Sequence, residues 1–159
     1  MNDRSNGAQD FDFLFGSWSI ANRRLLEPLT GSDEWEEFPA HGVIRPVFGG
    51  SGNFDEVTFP TKGFAGLTLR LFDPERKEWS LHWASDTTGR LFPPLTGRFS
   101  NGRGEFHGVD THKGQPVQIR FIWTVIDADR AAWEQAFSVD NGLTWETNWT
   151  MGFSRTARW

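Results

Sequence analysis

The sequence predicts an all-β fold: a single domain formed as a closed, antiparallel up-and-down barrel of about ten strands. Three observations carry this expectation. Apolar and polar residues alternate with period two through most extended runs. Turn pairs separate those runs at hairpin spacing, among them Asp73-Pro74, Thr88-Gly89, Asn101-Gly102, Lys113-Gly114 and Asn141-Gly142. The chain also carries 9 Trp and 15 Phe in 159 residues, and rings in that number need a shared interior to pack in. A sheet this wide, left open, would expose two unpaired edges, and closure removes them. The domain spans residues 1–159, with 1–10 expected to be flexible.

The elements follow in order. "AQDFDFLFG" is the one stretch read as a short helical turn, and it precedes the first strand. "DEWEEF" reads as the second strand, with Trp35 on one face and Glu34 and Glu36 on the other. "IRPVF" and "FDEVTF" are extended runs that carry Arg45 and Glu56. In "LTLRLF", Leu67, Leu69 and Leu71 form the apolar face opposite Thr68 and Arg70. "EWSLHWAS" sets Trp79, Leu81 and Trp83 against Ser80 and His82. "VQIRFIWTV" sets Val117, Ile119, Phe121, Trp123 and Val125 against Gln118 and Arg120. "WEQAF" carries Glu134 and Gln135. In "WETNWTMGF", Trp145, Thr147, Trp149, Met151 and Phe153 oppose Glu146, Asn148 and Thr150.

Burial of apolar area favours the Trp-rich faces inside. The polar lumen residues are then Gln135, Thr147, Ser85, Asn22 and Arg24. The opposite phase would turn Arg70, His82, Arg120, Glu134, Glu146 and Asn148 inward. A β-bulge can switch the phase within a strand, and "GGSG" and "NGRG" are suitable sites.

"FDFLFGSW" places Gly16-Ser17-Trp18 at the start of the first strand and resembles the G-x-W opening of lipocalins and other calycins. The longer series "FDFLFGSW…PLTGSDEW…IRPVFGG…LTLRLFDP…WSLHWAS…GRFSNGRGEF…IRFIW…EQAFSVDNGLTWETNW" is similar to a family of small uncharacterised bacterial proteins with a lipocalin-like barrel. The resemblance covers roughly residues 10 to 155. It implies the fold, a Trp18 plug at one barrel end, and a covering cation from Arg155 or Arg158. The chain lacks the disulfides and the T-D-Y element of well-studied lipocalins, so a secreted carrier role is not implied.

Composition excludes several function classes. The net charge of −5 does not provide the basic face that nucleic acid requires. No apolar run approaches the roughly 20 residues of a membrane span. With no Cys, disulfides and thiolate chemistry are absent. The polar "MNDRSNGAQD" has no apolar signal segment, and a cytoplasmic location is expected. "SVDNGLTW" has the Asp-box pattern of sialidase propellers, but it occurs once, in a chain with no Tyr nucleophile. It is read as a turn in which the Asp140 side chain bonds nearby backbone N–H groups and Gly142 takes a positive φ.

His107, Asp110 and His112 could suggest a metal, yet strand residues five apart point to opposite faces. Haem ligation by one His is not singled out by any of the 4 histidines. No metal or cofactor is expected. Charged residues inside extended runs either face water or line the lumen as Arg–carboxylate pairs. A lumen arginine would suit a carboxylate or phosphate head group. The candidate ligand-binding residues are Arg45, Glu56, Arg70, Trp83, Ser85, Arg120, Trp123, Glu134, Gln135, Asn148 and Trp149. The expected function is binding of a small, mostly apolar or amphipathic molecule in an aromatic-lined cavity. The alternatives are a cofactor-independent enzyme using a pair such as Glu134 and His82, or a filled-core interaction protein. Aromatic residues left on the exterior would argue for a homodimer.

Overall fold

The computed structural model describes residues 7–158. Ten strands follow one another: β1 (Gly16–Leu25), β2 (Trp35–Val47), β3 (Gly52–Phe59), β4 (Phe64–Asp73), β5 (Glu78–Ser85), β6 (Leu95–Ser100), β7 (Arg103–His112), β8 (Gln115–Asp127), β9 (Arg130–Ser138) and β10 (Glu146–Ala157). Each pairs antiparallel with its sequence neighbours, and β1 pairs with β10, so the barrel closes without a crossover. Closure sets Ile20 opposite Phe153, and both are buried. Among the described residues no helix is long and apolar enough to cross a membrane. The expected flexibility of residues 1–10 falls partly on residues outside those described. Within them, the Trp79 indole N–H donates to the Gly7 carbonyl at 3.0 Å.

One end of the barrel is plugged. The "DFDFLF" segment forms a 3-10 turn at Asp12–Leu14 that pushes Phe11 and Leu14 into the lumen, both fully buried. Phe11 packs edge-on against Trp79 and Phe99, with ring centroids 4.9 and 4.8 Å away. Trp18 is 1 % exposed, and its indole donates to the Leu14 carbonyl at 2.8 Å. The Arg155 guanidinium lies 4.2 Å from the Trp18 ring centroid. It also donates to the carbonyls of Phe13, Phe15 and Ala128, tying β10 to the plug. Arg158 pairs with Asp129 at the exposed rim instead.

The wall is thinnest beside β6. Only Trp79, Ser80 and Leu81 of β5 pair with β6. Further along, the Phe92 N–H bonds to the Trp83 carbonyl, and Ala84 bridges to Leu91. β7 runs five residues past His107, its last residue paired with β6. A loop carrying Phe92 and Pro93 covers that seam.

The strand phases differ from expectation in β4 and ahead of the bulge between Thr147 and Trp149, where Trp145 and Thr147 lie on the outer face. β5 faces Trp79, Leu81 and Trp83 inward, as expected. Residues directly opposite in an antiparallel pair share a face. Arg70 lies opposite Leu81, Thr68 opposite Trp83 and Phe72 opposite Trp79, so these three of β4 point inward. Leu67, Leu69 and Leu71 therefore form the outer face, and Leu67 is exposed. Counting apolar residues within β4 alone gives the reverse phase, because its alternate face carries a charge that the barrel buries. Among the described residues Phe48 is the one exposed Phe or Trp.

Candidate functional site

The lumen is not filled. A cavity of about 240 Å³ lies above the plug. Its aromatic walls are Phe59 of β3, Trp83 of β5, Phe121 and Trp123 of β8, Trp133 and Phe137 of β9, and Trp149 and Phe153 of β10. Val57, Leu81, Ile119 and Met151 fill in between them. Phe92, Pro93 and Asp110 line it at the thin seam, where Pro93 is also exposed to solvent. Close packing shapes the wall in detail. A Cβ placed on Gly66 would stand 1.9 Å from the Trp83 ring, so the glycine gives that indole its seat on β4.

The deepest polar feature is a buried triad on β3 and β4. Arg70 is 3 % exposed, Asp55 3 % and Asn53 0 %. Arg70 donates to Asp55 Oδ2 at 2.6 Å and to Asn53 Oδ1 at 2.9 Å. Asp55 Oδ1 accepts the Thr68 N–H at 2.9 Å. The guanidinium also lies over the rings of Phe11 and Trp123, 5.4 and 5.6 Å from their centroids. A buried charge needs this degree of satisfaction to persist. One valence stays open: Arg70 Nε has no partner.

A second polar station lies on β9 and β10. Gln135 lines the cavity and donates to Asn148 Oδ1 at 2.8 Å. Asn148 is the extra residue of a bulge between Thr147 and Trp149, which turns it inward. The Trp149 indole N–H donates to Asn22 Oδ1 at 2.9 Å, joining this station to β1.

The sequence-derived candidates sort by strand phase. Arg70, Trp83, Trp123, Gln135 and Trp149 line the cavity, and Asn148 supports it through Gln135. Ser85 is buried at the mouth end of β5 and bonds Thr87 instead. Arg45 and Glu56 are exposed on the outer faces of β2 and β3. Arg120 stacks on Trp145 outside the barrel, 4.7 Å from the ring centroid. Glu134 is outward, opposite Ile122 and Thr150. His82 is also outward, bonded to Ser80 at 3.0 Å, so a Glu134–His82 acid–base pair has no place inside the lumen. Among the other polar residues weighed, Glu146 accepts the Leu29 N–H at the mouth, and Thr147 opposes the outward Ala136. Arg24 lies over Phe38 and Trp149 and pairs with Glu36 at 3.0 Å. The Lys62 hydrogen bond, joined by Arg24, holds the Glu36 carboxyl below the usual carboxylate range. His107 sits outside beside Trp145, whereas His112 lies beside Phe137. Asp55 and Asn53 of the triad and Trp133 of the wall are not among the sequence-derived candidates; the exposed Glu56, next to Asp55, stands there as the acidic one.

The "SVDNGLTW" loop is a turn in which Asp140 gathers donors. Asp140 Oδ1 accepts the Thr144 N–H at 2.9 Å and the Ser138 hydroxyl at 2.8 Å, and Gly142 has φ 84°. The hydrogen bonds from Thr144 are the main cause that lowers the Asp140 pKa from 3.8 to about 2. The fold therefore favours the ionised form. That contribution is present above pH 3.8 and is lost as pH falls through about 2. In an NMR acid titration the Thr144 amide shift is expected to move with a midpoint near 2. A midpoint at the ordinary 3.8 would contradict this network.

No family model and no curated protein matches the chain. Among solved structures, the chain is similar to the crystal structure of Rv2717c from M. tuberculosis, with a TM-score of 0.63 and 13 % identity over 95 % of this chain and 98 % of that one. At that identity the likeness is one of fold: a closed, ten-stranded antiparallel barrel.

Proposed function

We propose that the barrel binds a small, mostly apolar molecule in its lumen, in the manner of a lipocalin-like container. The observation that carries this reading is the aromatic-walled cavity of about 240 Å³ with two polar stations, Arg70 and Gln135, on its wall. Ligand sites of drug-sized molecules run to roughly 300–1,000 Å³, so the occupant is a small one, of one or two fused rings or a short chain. Apolar walls supply affinity, and the few polar groups fix orientation. Four tryptophans, Trp83, Trp123, Trp133 and Trp149, line the cavity and would report its occupancy.

The test is a titration of intrinsic fluorescence and of thermal stability against naphthalene derivatives, short fatty acids and simple phenolics. Saturable quenching is expected, with a rise in Tm that follows ligand concentration. At a hundredfold excess over Kd the stabilisation reaches about 2.7 kcal/mol. A panel that neither quenches saturably nor raises Tm contradicts the reading.

A further inference from the structure

The polar atoms left idle in the interior state what the occupant's polar end must be. Among the described residues, six buried side-chain atoms have no hydrogen-bond partner: Arg120 Nε, His112 Nε2, Asn148 Nδ2, and the three that bear on the occupant, Arg70 Nε and the Nδ2 atoms of Asn22 and Asn53. The identity of these three as donors is fixed by chemistry. A guanidinium has no acceptor. Asn53 must present its oxygen to Arg70, and Asn22 must present its oxygen to the Trp149 indole, so in both the N–H side is the one left open. An idle buried donor costs free energy comparable to a lost hydrogen bond. Of the three, Arg70 borders the cavity itself. That open donor calls for an acceptor.

The charge balance narrows the acceptor further. Arg70 is already matched by Asp55 at 2.6 Å. The cavity wall carries one guanidinium, Arg70, against two carboxylates, Asp55 and Asp110. A ligand carboxylate would add a third negative charge beside a cation already neutralised, inside a low-dielectric lumen. A ligand cation would meet Arg70 and a donor it cannot satisfy. An uncharged oxygen of a ketone, ester or amide accepts the hydrogen bond and costs no charge burial.

We infer that the cavity selects an uncharged, flat ring compound bearing a carbonyl-type acceptor and rejects the carboxylate of the same skeleton. This departs from the carboxylate head group expected of a lumen arginine, and it rests on the proposed lumen binding. The offset between Arg70 and Asp55 is what sets the preference.

The test compares three ligands of one skeleton by calorimetry at neutral pH: methyl naphthoate, naphthoate and naphthylmethylammonium. The ester is expected to bind at least about tenfold more tightly than either ion. Naphthoate or the ammonium binding as tightly as the ester overturns the inference and leaves the container reading intact. If none of the three binds, the inference falls, and the fluorescence panel above decides the container reading separately. In Asp55→Asn the partner charge is removed while the shape and the acceptor for Thr68 are kept, so the preference is expected to shift toward naphthoate by a further tenfold or so. An unchanged ester-to-carboxylate ratio in folded Asp55→Asn overturns the inference. Should that variant not fold, the comparison in the unaltered protein still decides it.

Discussion

Replacing Arg70 with Met is expected to lower the free energy of unfolding by about 3–5 kcal/mol, the range for breaking a buried pair from one side. The side chain is 3 % exposed and anchors Asp55 and Asn53 through the two bonds described above. Without it, the Asp55 carboxylate remains in the lumen with the Thr68 N–H as its donor. Methionine fills much of the same length, so the loss reports the stranded charge and not an empty space. The double variant Arg70→Met, Asp55→Leu removes the charge as well and is expected to recover most of the loss, because apolar replacement of a whole buried pair is often neutral. Urea unfolding of the three proteins gives these differences directly. A loss below about 1 kcal/mol in the single variant would mean that water reaches Asp55 freely, as at an exposed ion pair.

Trp18→Ala is expected to cost a similar amount, about 3–5 kcal/mol, by opening a large hole in the plugged end. The indole is 1 % exposed and closes the barrel between Leu14 and Phe153, whose ring centroid lies 5.9 Å away. Its loss also strips Arg155 of the ring it covers, although that guanidinium keeps its bonds to Phe13, Phe15 and Ala128. Trp18→Phe keeps part of the volume and loses the bond to the Leu14 carbonyl, so a smaller drop is expected. If Trp18→Ala unfolds at the same urea concentration as the unaltered protein, the plug does not hold this end of the barrel shut.

Much of the architecture is legible in the sequence because hairpin turns and period-two alternation are local signals. Ten strands, their sequential pairing and the inward Trp79, Trp83 and Trp123 follow from them. The resemblance to calycins implies a cation over Trp18 from Arg155 or Arg158, and Arg155 is the one found there. The site is less legible, for a physical reason visible in β4. Taken alone, "LTLRLF" buries three leucines; in the barrel it buries Arg70, because the facing Leu81 and Trp83 set its phase through register. A strand's own hydrophobicity yields to its neighbours when a buried arginine finds Asp55 and Asn53 within bonding distance. The same shift separates Asp55, inside, from Glu56, outside. Asn148 enters the interior by a bulge after Thr147, at neither of the glycine-rich sites that sequence suggested. The volume left among the rings depends on how they tilt against one another, as in the edge-on contact of Trp133 and Trp149 at 5.7 Å, and no composition count encodes that.

The central claim is that the barrel is hollow where its tryptophans meet. Crystals pressurised with xenon test it most directly, since a cavity with mostly apolar walls admits the atom without any polar partner. The account predicts a xenon peak bounded by Trp83, Trp123, Trp133 and Phe153. Side-chain density that closes this space, with no xenon in it, would contradict the account.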